Sequence, residues 1–171
     1  INFSDQKLEI EIKKNKIKIF GIGKILLQNN KDEIDYSIIK QNGIYDFDIS
    51  MDLKSNPFEI NFLNYKNDIS TNTKINIKGK KEIKKNTTFN LISLKDASNL
   101  IEIKNLHFDK KFKIIDLGSV RIDLTDEINT INKFEILKKN KNYYLKGQNL
   151  NADQIITNLL SDTSKSKKIL N

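Results

Sequence analysis

The chain has 171 residues, no cysteine, one proline and a formal net charge of +8. That length holds one domain with a real core, and the missing thiols exclude disulfides, thiolate metal sites and cysteine nucleophiles. Of the 30 basic residues only Arg121 is an arginine, and lysine lacks the planar fork that reads bases and phosphates bidentately. The charge therefore reads as compositional bias and solvated faces, with a membrane surface as the next candidate and nucleic acid excluded. The first residue is Ile1 rather than methionine, which implies a mature fragment or an excised segment. No apolar run approaches the roughly 20 residues that span a bilayer.

The pattern along the chain is strand after strand. Leu8, Ile10 and Ile12 alternate with glutamates, and a Lys13-Lys14-Asn15 turn follows. Ile17 and Ile19 open a second run that continues to Leu27, interrupted by Gly21 and Gly23. No third glycine and no helix follow them, so a bulge or a close approach is expected rather than a phosphate loop. Ile34, Tyr36 and Ile38 form the third run, and Asn42-Gly43 is the strongest hairpin signal present. Tyr45, Phe47, Ile49, Met51 and Leu53 then occupy one strand face, with Asp46, Asp48, Ser50 and Asp52 on the other. After Ser55-Asn56-Pro57, the alternation of Phe58, Ile60 and Phe62 predicts another strand.

A turn over 64–68 leads to a strand-like run over 69–79 and a basic loop over 80–85. Phe89, Leu91 and Ile92 mark the next strand, and Ile101, Ile103 and Leu106 the one after. Ile114 to Leu124 reads as two short strands or one bent strand broken near Gly118. Ile131 to Leu137 and Tyr143 to Lys146 complete the series. Asn151 is a good N-cap with Gln154 at capping-box spacing, and Ile155, Ile156, Leu159 and Leu160 form a helical stripe. The fold class is mainly β: about ten to twelve antiparallel strands in a meander, curled into a trough or folded as a sandwich, with one short helix over 151–160. Residues 1–160 form a single β-rich domain or a segment of a longer trough, and 161–171 form a polar exit.

Alternation means that one face must leave water. The pattern alone favours closure as a sandwich or barrel over an open trough that an outside apolar partner covers. Catalytic chemistry has little to stand on. His107 is a lone histidine without nearby ligands, and Asp46, Asp48 and Asp52 lie on the outward face opposite the aromatics. No cofactor and no metal are expected.

One stretch carries a resemblance. Tyr143-Tyr144-Leu145-Lys146-Gly147, then Leu150-Asn151-Ala152 and the Ile155-Ile156 to Leu159-Leu160 stripe, resemble the recurring end of a β-repeat in the AsmA-like family of Gram-negative envelope proteins, particularly its TamB-like and YhdP-like members. The strand texture of Lys74 to Gly79 and of Ile101 to Leu106 is similar to that family over about residues 65–160. Asn151 stands where the family usually has aspartate. The lysine, asparagine and isoleucine bias resembles that of an AT-rich α-proteobacterium. The resemblance implies a non-catalytic, periplasmic β-trough anchored in the inner membrane by a segment outside these residues and flanked by further β-segments of the same chain. It implies shielding or conduction of phospholipid acyl chains between the two membranes, in support of envelope integrity. Carried onto this chain, it puts Tyr45, Phe47, Ile49, Met51, Leu53, Phe58, Ile60 and Phe62 against lipid. The alternatives are a closed β-sandwich with a structural or adhesive role and a relative of the lipopolysaccharide-bridge troughs.

Overall fold

The computed structural model describes residues 2–27, 30–67, 71–83, 85–125 and 129–149, excepting the Phe62 side chain. The helix expected over 151–160 and the polar exit over 161–171 lie outside them. The strands are β1 (Asn2–Lys13), β2 (Lys16–Leu26), β3 (Lys31–Gln41), β4 (Ile44–Leu53), β5 (Glu59–Ile60), β6 (Tyr65–Lys66), β7 (Thr73–Glu82), β8 (Thr87–Lys95), β9 (Leu100–Phe108), β10 (Ile114–Thr125), β11 (Ile131–Lys139) and β12 (Asn142–Asn149). Ten of them form one antiparallel sheet in the order β1-β2-β3-β4-β7-β8-β9-β10-β11-β12, while β5 and β6 pair only with each other. β1 and β12 are the two edges, so the sheet is open: neither a barrel nor a sandwich of two large sheets forms among the described residues.

The register brings the main apolar row of each strand to one side, while Phe20, Ile22 and Leu91 project from the other. A row of directly paired residues crosses all ten strands: Leu8, Gly21, Tyr36, Ile49, Ile77, Ile92, Ile103, Val120, Ile136 and Leu145. Paired residues project from the same face, so this is one continuous apolar surface. The opposite face is charged and solvated. Lys18 meets Glu11 at 3.0 Å, Lys78 meets Asp48 at 2.8 Å and Lys133 meets Asp123 at 3.1 Å.

The Asn42-Gly43 hairpin forms as expected. Both residues have positive φ, 50° and 77°, as a two-residue loop matching the strand twist requires. Gly21 and Gly23 are close approaches. A Cβ on Gly21 would lie 2.2 Å from the Tyr36 ring, and one on Gly23 would lie 2.0 Å from the Gln6 amide. The two glycines thus make room for Tyr36 and Gln6 to lie flat on the apolar face, where the Tyr36 hydroxyl donates to Gln6 Oε1 at 3.3 Å.

A crease crosses the middle of the sheet. The pairing passes from Phe89–Leu106 to Leu91–Lys104 and from Leu106–Leu117 to Lys104–Ser119. Asn90, Asn105 and Gly118 are therefore skipped at the same height on β8, β9 and β10. On β7 the consecutive residues Lys78 and Gly79 face Leu91 and Phe89, so the extra residue starts at β8. Each skipped residue shifts the alternation by one, and Asn105 reaches φ 53° to do so. Ile114–Thr125 is consequently one bent strand, not two.

The expected strand through Phe58, Ile60 and Phe62 does not form as such. β4 passes directly to β7, pairing from Ile44–Glu82 to Leu53–Thr73, and leaves no place in the sheet for another strand. The intervening residues instead fold back as the β5–β6 pair, joined by a 3-10 turn over Asn61–Leu63 that ends at Asn64 in the left-handed region. This insert sits on the apolar face. Leu63 and Tyr65 join Leu53, Ile75, Leu94, Ile101, Ile122, Leu124 and Phe134 in the buried cluster. The basic loop expected over 80–85 is shorter, because β7 runs to Glu82 and Lys80 and Lys81 lie within it.

Candidate functional site: a half-covered apolar groove

The insert covers one end of the apolar face and leaves the rest open. Beneath it Leu53 and Leu124 are each 1% exposed. At the edges of the same face, Ile12 is 75% exposed and Leu145 62%. Between these extremes runs a groove of about 500 Å³ with an almost wholly apolar lining. Phe58 and Ile60 of the insert form one wall, and Ile75, Ile103, Ile122 and Leu145 form the floor and far side. Ile75 and Leu145 lie on strands five steps apart, roughly 24 Å in a flat sheet; both line one groove because the sheet curls around it.

Two polar clasps hold the insert. Asp32, 3% exposed, receives the backbone N–H groups of Lys54 and Ser55 at 2.9 Å and of Asn56 at 3.1 Å, plus the Asn56 side-chain amide at 2.7 Å. Asn67 accepts from the Phe58 N–H, and its own N–H donates to the Phe58 carbonyl at 3.0 Å. At the other clasp the Tyr65 hydroxyl donates to Asp96 at 2.8 Å. Asp96 also receives Ser98 N–H at 3.0 Å, Asn99 N–H at 2.8 Å and the Asn99 amide at 2.9 Å.

Burial pushes the Tyr65 hydroxyl well above the ordinary phenol range, and the neighbouring Asp96 carboxylate adds to it. Burial also raises Asp96, but the four donors outweigh it and hold its carboxyl below the ordinary value. A depressed carboxyl stabilises the fold above its unfolded value, near 3.9, and that contribution is lost as pH falls through the folded value. A raised phenol keeps its proton in the folded state, so stability falls as pH rises above about 10. Tyr65→Phe is expected to cost about 1.5–3 kcal/mol at neutral pH and to soften the acid limb of the stability profile. Urea denaturation across pH measures both.

Of the residues expected against lipid, Tyr45, Phe47, Ile49, Met51 and Leu53 do share the apolar face, by their pairing with Lys81, Gly79, Ile77, Ile75 and Thr73. Leu53 is sealed under the insert. Phe58 and Ile60 belong to the insert and face the groove from above, not from the sheet. The Phe62 side chain lies outside the description. Phe47 continues into an edge-to-face series with Phe89, at 5.7 Å, and Phe108, at 5.8 Å. A Cβ on Gly79 would collide with the Thr88 carbonyl and the Phe47 ring, so glycine there seats this series. Asp46, Asp48 and Asp52 lie on the solvated face, and no cluster of metal-ligating side chains occurs among the described residues.

Sequence reading missed the lysines of the apolar face. Lys40 and Lys81 flank Tyr45 at the end away from the insert. Lys40 lies 5.5 Å from the Tyr45 ring centre, and Lys81 lies 5.3 Å from that of Phe112. An antiparallel meander sorts its connections alternately to two ends. The turns β1–β2, β3–β4, β7–β8, β9–β10 and β11–β12 all fall at the end opposite the insert. They carry Lys13, Lys14, Lys85, Lys110, Lys111, Lys113 and Lys141.

The fold and groove define a class: an open, one-sided antiparallel sheet whose apolar face is half covered by its own insert, with a basic rim at the uncovered end. Comparison with family models, with curated proteins and with solved structures gives no match. No helix of the described residues is long and apolar enough to cross a membrane.

Proposed function

We propose that this chain is a non-catalytic segment that shields phospholipid acyl chains on its apolar face while head groups stay in water at the lysine rim. The observation that carries the reading is the apolar row crossing ten strands of a sheet that does not close. An unclosed sheet leaves that much apolar surface in want of a partner, and the insert supplies one only at its own end. The groove volume lies within the range of small-molecule sites, and its lining is apolar but for Ser93, a surface suited to hydrocarbon. The resemblance of the β-repeat texture to AsmA-like envelope proteins supports the same reading. It adds the periplasm as the location, a tether to the inner membrane through an anchor outside these residues, and traffic between inner and outer membranes as the task.

A photoreactive residue at Phe47 or Ile49 is expected to capture phospholipid in cells, whereas the same residue at Asp48 or Ser50, on the solvated face, stays silent. A label at Leu53 is silent in either case, because the insert seals it. Silence at Phe47, Ile49 and Ile60 together would remove the reading.

A further inference from the structure

We infer that the lysine-bearing end of the sheet is a docking end for an anionic phospholipid membrane, which it meets end-on with apolar turn residues entering the surface. The inference rests on the acyl-chain reading only for the direction of the groove; the docking itself stands on the chemistry of the turns.

Two independent features coincide at that end. The first is charge. The β9–β10 turn holds Lys110, Lys111 and Lys113, and its one acid is occupied by the turn itself: Asp109 accepts the N–H groups of Lys111 at 2.8 Å and Lys113 at 2.9 Å. In the β7–β8 turn Glu82 is likewise engaged, by Lys85 at 3.0 Å. The second feature is exposed apolar bulk in the same turns. Phe112, held at φ 59° among those lysines, is 61% exposed, and Ile83 is 47% exposed. The two turns are neighbours in space, since Lys81 reaches over the Phe112 ring.

Apolar and aromatic tips set among lysines suit a bilayer interface, where the ring enters the head-group layer and each ammonium meets anionic lipid. Nucleic acid fits less well. Its readers use arginine forks, and Arg121 lies on the solvated face of β10, opposite Glu102 and Glu135. The placement also gives the groove a direction. An acyl chain leaving such a surface meets the Phe47–Phe89–Phe108 series first and the Phe58–Ile60 wall last. The insert closes the far end, so the groove fills from the membrane side.

The test is vesicle flotation, using phosphatidylcholine vesicles with and without phosphatidylglycerol. The chain is expected to float with the anionic vesicles and not with the neutral ones. Replacing Lys110, Lys111 and Lys113 together by glutamine keeps the backbone donors to Asp109 and is expected to weaken binding about 100-fold. Phe112→Asn tolerates the left-handed backbone and is expected to weaken it about tenfold. A control that removes three lysines of the other half, Lys24, Lys74 and Lys95, is expected to leave binding within about twofold of the parent.

Equal binding to both vesicle types would overturn the docking, and so would a triple variant that binds like the parent. Loss of vesicle binding to a single-stranded oligonucleotide competitor, with no effect of Phe112→Asn, would overturn it in favour of nucleic acid. Lipid capture at Ile49, read in the same vesicles, keeps the two claims apart. Silence at Ile49 with flotation intact removes the acyl-chain reading and supports the docking end alone.

Discussion

Leu124→Ala is expected to lower the unfolding free energy by about 2–5 kcal/mol, whereas Ile12→Ala, on the same face of the same sheet, is expected to change it by less than about 0.5 kcal/mol. The two leucine and isoleucine side chains are of similar size. They differ in cover: Leu124 is 1% exposed within the buried cluster, and Ile12 is 75% exposed on the edge strand. Truncating Leu124 leaves a cavity that the insert and β11 close only in part. Truncating Ile12 removes a side chain that already stands in water. Urea denaturation of both variants, with Leu53→Ala as a second buried site, measures how far the cover extends. Equal costs at Leu124 and Ile12 would mean that the apolar face is sealed along its whole length, and the open groove would then have no place in this protein.

Asp32→Ala is expected to cost about 3 kcal/mol or more, because four donors lose their acceptor at once and each buried one left bare costs about 1–3 kcal/mol. Asp32→Asn retains one acceptor oxygen and is expected to recover about half of the loss. The consequence is local before it is global. Lys54, Ser55 and Asn56 form the hinge by which the insert turns onto the apolar face, and Asp32 gathers all three of their backbone N–H groups. Hydrogen exchange over residues 54–67 is expected to accelerate at denaturant concentrations where β7 to β11 stay protected. Exchange that accelerates uniformly across the chain would show that the insert and the sheet unfold as one unit.

The meander was legible because its strands obey one rule. Tyr45 to Leu53 alternates without a break, and the structure keeps all five apolar residues on one face. The Asn42-Gly43 pair named its own turn. Even the crease left a trace: Ile103 to Leu106 is a step of three where two is expected, and Leu91 and Ile92 are adjacent apolar residues in one strand. Other features had no such trace. Phe58, Ile60 and Phe62 carry strand spacing, yet β4 and β7 claim each other's hydrogen-bonding edges, and that pairing is a long-range event. Asp32 left no trace either, since its role depends on Asn56, 24 positions away. The basic end was hidden in a chain-wide lysine bias. Lysines at 13, 85, 111 and 141 come to share one end of the sheet only once the turns are sorted to two ends.

The crease through Asn90, Asn105 and Gly118 ties three distant codons together. A strand that lost its extra residue alone would invert every side chain on one side of the crease; in β8 this sends Phe89 and Thr87 to water and brings Thr88 onto the apolar face. Its neighbours would keep the old phase and no longer match it. Losing all three residues together would restore the match among β8, β9 and β10, although Phe89, Leu106 and Leu117 would then turn together to the solvated face. Deletions at these positions should therefore be strongly non-additive, each one harmful singly and offset by the other two. Length in these strands is a shared property of the sheet, and it changes in three places at once or not at all.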